Sequence, residues 1–137
     1  MASMATMFAL LAMVSWGLWA VLANQATQSV EPTVAMILSY LTGVFVAAGY
    51  VITAGHDVSV TSIGVGYALA AGVFSGIGAV AFYAGLATGR TATVTTISAL
   101  YFVVAAGIGL LVLGESATWR DTLGIVFAAV AVALISY

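Results

Sequence analysis

Two side chains in this sequence could titrate near neutrality or hold a metal, the lone His56 and, at the end of an apolar run, Glu115. Both fall in short polar connections, where a solvated imidazole or carboxylate is ordinary. Glu115 could also pair with Arg120, a surface contact worth about 0–1 kcal/mol. Cysteine is absent, so thiolate metal sites, disulfides and thiol nucleophiles are excluded together. No nucleophile–base pair, metal-ligand cluster or phosphate-binding glycine loop occurs, so an enzyme is not expected. Neither a cofactor nor a metal is expected.

The remaining candidates are uncharged. Trp16 and Trp19 lie three residues apart and share a helical face, with Ser15 beside them. Rigid aromatics suit an apolar cavity, but a deep tryptophan also fills space between helices. Thr91, Thr95 and Ser98 follow the i, i+4, i+7 pattern of one face, with Tyr101 next along. Such hydroxyls either bond to their own helix's carbonyls or offer uncharged hydrogen bonds to a polar solute. Gly72, Gly76, Ala79 and Tyr83 lie close to one face, and Tyr67, Phe74, Gly78 and Gly85 form a second line. Small residues permit close approach of neighbouring helices, or leave room for a solute. Gly124 belongs with the packing positions.

These residues are carried by apolar stretches that leave little room for anything else. Of 137 residues, 64% are hydrophobic and 4% charged, with mean hydropathy +1.26. Soluble domains carry roughly 25% charged residues, so this chain could not cover a water-facing surface. It is expected to be an all-α integral membrane protein in a lipid bilayer. The charged residues (Glu31, Asp57, Arg90, Glu115, Arg120 and Asp121) lie between or near the ends of five stretches, about 4–23, 33–53, 62–87, 91–113 and 118–137. Each approaches or exceeds the ~20 residues needed to cross a hydrocarbon core. Backbone in lipid must satisfy its own hydrogen bonds, and the alternation of a membrane barrel is missing, so helices are expected.

Local signals agree. Pro32 after Glu31 suits the first turn of a helix. Gly55 suits a C-cap, and Gly89 and Gly114 stand where the third and fourth helices should stop. Thr118 and Asp121 read as a capping box. The first stretch has no positively charged leader region and exceeds the usual length of a signal-peptide core, so a span is expected there. The connections are short, so consecutive helices should be antiparallel neighbours forming one domain over 1–137.

Five spans put the termini on opposite sides. Orientation follows lysine and arginine in short loops. Lysine is absent, and Arg120 on one side is matched by Arg90 on the other. Such a tie permits insertion both ways and an antiparallel dimer, which would recreate the inverted repeat of many transporters; other factors could equally fix one orientation. The net charge of −2 with only two basic residues leaves no electrostatic footprint for nucleic acid.

The first helix carries Ala12-Met-Val-Ser-Trp-Gly-Leu-Trp-Ala-Val-Leu-Ala23. Later come Tyr101-Phe-Val-Val, Leu113-Gly114-Glu115 and Trp119-Arg-Asp-Thr-Leu-Gly124. In order and spacing this resembles one EamA-type repeat of the drug/metabolite transporter superfamily, over essentially the whole chain. The resemblance implies a multi-pass transporter in the cell membrane of a prokaryote. It implies two such repeats in inverted orientation, with first, third and fourth helices lining the path, and hence a homodimer or pairing with a homologous half. It gives Gly114 and Glu115 as motif residues. The family often has proline after the tyrosine; Phe102 stands there, and an expected kink should be lost. The related small multidrug resistance proteins bury a glutamate in their first helix, whereas Met13 to Ala23 contains no acid. Proton-coupled export of cationic drugs is therefore not expected. Small neutral or zwitterionic solutes, such as amino acids, moved by alternating access fit better. A non-transporting subunit packed against a larger membrane partner is the alternative.

Overall fold

The computed structural model describes residues 3–55, 59–114, 116 and 118–136, and the side chains of Asp121 and Ser136 stand outside it. Its described elements are helices: α1 Met4–Thr27, α2 Pro32–Ala54, α3 Ser62–Thr88, α4 Thr91–Ala99, α5 Tyr101–Leu111 and α6 Trp119–Ser136. Four spans are long and apolar enough to cross a membrane, α4 and α5 together forming the fourth. The fifth expected span, 118–137, is shorter in its apolar part, Thr122–Ile135. At 1.5 Å per residue that part reaches about 21 Å.

The helix ends follow local chemistry. Ser3 caps α1, its hydroxyl accepting from the Thr6 amide at 3.2 Å. Glu31 caps α2 by accepting from the Val34 amide at 2.9 Å, with Pro32 in the first turn as expected. The Thr33 and Val34 amides together hold the Glu31 carboxyl below the usual carboxylate range. Gly55 ends α2 in the left-handed region at φ 61°, and Gly114 follows α5 at φ 70°. Gly89 follows directly after α3, so all three glycines stand beyond helix ends, and at Gly55 and Gly114 a glycine is suited because no Cβ opposes the left-handed conformation. The Thr118–Asp121 capping box involves a side chain outside the described ones.

Two boundaries differ from expectation. α1 runs to Thr27 rather than stopping at Ala23. The apolar run ends there, but Asn24 and Gln25 continue the helix as polar residues with backbone partners intact. The fourth stretch is interrupted at Leu100, between the end of α4 and the start of α5, without a proline there. Leu100 has ψ −4°; its amide reaches back three residues to the Ile97 carbonyl, and its own carbonyl accepts from Val103. Bonds of this span tighten the turn toward 3₁₀ geometry. One turn earlier, the Thr95 hydroxyl adds a bond to the Thr91 carbonyl at 2.7 Å, and such back-bonding bends helices.

The helices fall into two compact units, α1–α3 up to Thr88 and α4–α6 from Gly89. In the first, each helix packs against the other two. In the second, α4 packs against α6.

Candidate solute path

The first unit is organised around Trp19. Its ring stacks on Phe82 with centroids 5.0 Å apart and an interplanar angle of 12°. It meets Tyr83 edge-on at 5.9 Å and 62°. The indole N–H donates to the Ser39 hydroxyl at 3.0 Å. One side chain of α1 thus touches α2 and α3 together. Around it the buried residues are Ala20, Ala23, Ala35, Ala79, Tyr83 and Leu86, the last two only 1% exposed. The alanines let the helices approach closely enough for the large rings to fill the space. Toward the end of α1, Asn24 donates its carboxamide N–H to the Leu86 carbonyl at 3.0 Å.

Burial in this unit is confined to one end. Ala20 and Ala23 lie in the second half of α1, Ala79, Tyr83 and Leu86 in the second half of α3, and Ala35 near the start of α2. Trp19 meets Phe82 and Asn24 meets Leu86, so α1 and α3 run in the same direction. The same faces continue toward the other end with exposed residues. Trp16 is 60% exposed although it is one turn from Trp19. Ser15, Phe74 and Gly78 are exposed as well. A Cβ added at Gly72, Gly76 or Gly78 would meet no described atom within 4 Å, so within this unit no described helix makes close approach there. Ala79, by contrast, is packed. A weaker bridge, the Tyr40 and Ser75 hydroxyls 3.5 Å apart, links α2 and α3 farther along.

In the second unit the Thr95 hydroxyl gives its proton to its own helix, as described above. Ser98 is exposed, and Tyr101, the first residue of α5, is exposed too. Gly124 on α6 has open space where a side chain would be. Glu115 and His56 lie outside the described residues.

The charged side chains that are described stand at helix ends: Glu31 caps α2, Arg90 precedes α4, and Arg120 is the second residue of α6. The Arg120 guanidinium lies 5.8 Å from the Trp119 ring centroid, a cation–π distance that suits a cation held near an interface. Among the described residues no buried polar side-chain atom lacks a hydrogen-bond partner. Among the described residues, the apolar helices thus carry hydroxyls, aromatic rings and glycines between charged side chains that stand at helix ends.

A model of the EamA-like transporter family matches residues 3–137, nearly the whole chain. The chain belongs to the EamA-like transporter family. Comparison with curated proteins found no match, and comparison with solved structures found none either. As an EamA-like protein it is a multi-pass membrane transporter of small solutes, as its resemblance to one EamA repeat implied.

Sequence reasoning passed over Asn24, Ser39 and Phe82. Asn24 had a usable signal: it sits on the helical face of Ala20, Ala23 and Thr27, where a carboxamide in a membrane helix needs a partner. Ser39 and Phe82 carried none, because a single hydroxyl or ring in an apolar helix does not declare its contact.

Proposed function

We propose that this EamA-like chain forms half of a transporter for small neutral or zwitterionic solutes, amino acids among them. Two five-helix sets, most simply two copies in antiparallel orientation, enclose the path and alternate its access. The observation that carries this reading is the family match over residues 3–137 combined with described charges that stand only at helix ends. Without a charge at depth, hydroxyls and helix dipoles bind a solute that brings its own balanced charges or none. The open space over Gly72, Gly76 and Gly78 suits close approach of a second set of helices. The arginine tie between Arg90 and Arg120 permits a chain that inserts both ways. Ser15, Trp16, Phe74, Gly78, Thr95, Ser98 and Tyr101 are the residues proposed to face the solute, with Trp19 at the edge of the path.

Proteoliposomes containing only this chain should take up labelled amino acids, and tags on both termini should report two orientations in cells. Transport with a single orientation would refute the antiparallel arrangement. No transport, together with co-purification of a larger membrane protein, would favour a packing subunit. If transport occurs and the double substitution Trp16→Ala, Ser98→Ala leaves its rate and affinity unchanged, the proposed lining is wrong.

A further inference from the structure

Leu86 is third from the end of α3. Its carbonyl is therefore one of the four that the helix's own amides do not reach. Asn24, in the last turn of α1, supplies the missing donor at 3.0 Å. The Asn24 backbone carbonyl in turn accepts from the Thr27 hydroxyl at 2.8 Å. Beside this bond lie Ala23 and Leu86, both buried. One side chain thus fastens the end of α1 to the end of α3, at the edge of the only packed region described for this unit.

From this we propose that Asn24 is a positioning residue, a latch that keeps the α1–α3 end closed and must release during each transport cycle. The inference rests on the alternating-access reading above. The described conformation is packed at one end of the three-helix unit and open along the same faces at the other. A cycle that reverses this asymmetry has to part the packed end. The Asn24 bond is suited to repeated release because Leu86 lies within three residues of the α3 terminus. When the helices part there, water at the membrane surface replaces the carboxamide, and neither partner is stranded in hydrocarbon. The Trp19 ring cluster lies more than one helical turn deeper than Asn24 along α1. It holds α1 to α3 by ring contact and α1 to α2 by the Trp19–Ser39 hydrogen bond.

The chain contains no cysteine, so a single introduced thiol is a clean reporter. Ala79→Cys places it on the packed face, and its reaction with a water-soluble maleimide in proteoliposomes measures opening without reference to transport. In the Asn24→Ala background the labelling rate should rise about tenfold or more. The Asn24→Gln background, which keeps a carboxamide donor, should restore much of the slow rate. Trp16→Cys, at the open end, should label no faster in the Asn24→Ala background than in the parent. An Asn24→Ala rate equal to the parent's would overturn the latch, whether or not the protein transports. Equal acceleration at Trp16→Cys and Ala79→Cys would also overturn it, because that pattern reports general loosening of the fold. If the latch result holds and no solute moves, the transporter reading fails while the closed end stands.

Discussion

Removing the ring of Trp19 tests the architecture of the first unit most directly. In lipid the hydrophobic effect does not hold helices together, so the cost is the packing and hydrogen bonding that the ring itself makes. Two aromatic contacts, to Phe82 and Tyr83, are worth about 0.5–1.5 kcal/mol each. The bond to Ser39 adds about 0.6 kcal/mol on the scale measured for membrane helices. Trp19→Ala should therefore destabilise the protein by about 1.5–3.5 kcal/mol. Trp16→Ala, whose ring is largely exposed, should cost under about 1 kcal/mol, although the two tryptophans are one turn apart. The assay is reversible unfolding of the purified chain in mixed micelles by added dodecyl sulfate, followed by far-ultraviolet circular dichroism. A double-mutant cycle with Trp19→Phe and Ser39→Ala should give a coupling of about 0.6 kcal/mol. Equal losses for Trp16→Ala and Trp19→Ala, or a coupling of zero, would refute the assignment of Trp19 as the shared contact of three helices.

The remaining predictions use the same unfolding assay. Phe102 is the second residue of α5, in a first turn that tolerates proline, so Phe102→Pro should cost under about 1 kcal/mol, whereas Ala106→Pro in the helix interior should cost about 3 kcal/mol or more. Gly55→Ala should cost about 1 kcal/mol from the left-handed backbone alone, because its added methyl meets no atom within 4 Å. The Glu31 carboxyl is held low by the Thr33 and Val34 amides, so its stabilising effect should be complete above the unfolded carboxyl's range. That effect should fade as pH falls through the lower folded value, and Glu31→Gln should remove this difference from the pH profile.

What could be read from the residues was set by solvent and by turn chemistry. A chain with so few charges pointed to lipid-embedded helices, and Pro32, Gly55 and Gly114 marked helix ends because proline fixes φ in a first turn and glycine alone takes the left-handed turn without a Cβ penalty. The α1 terminus was misplaced because hydropathy reports where lipid ends, while the helix continues to Thr27 through polar residues. The break at Leu100 could not be read because it depends on a shift in hydrogen-bond span, which no residue type there announces. Trp16 and Trp19 were indistinguishable by type and spacing. Only packing separates them, and packing depends on which helix stands opposite.

The threonines carry one more consequence. Thr42, Thr53, Thr88 and Thr95 each hand a proton to a carbonyl three or four residues back. A hydroxyl so committed has only lone pairs left to offer. If Thr95 faces the solute as proposed, its hydroxyl offers a permeant molecule only an acceptor, which favours solutes that bring N–H or O–H groups to that point.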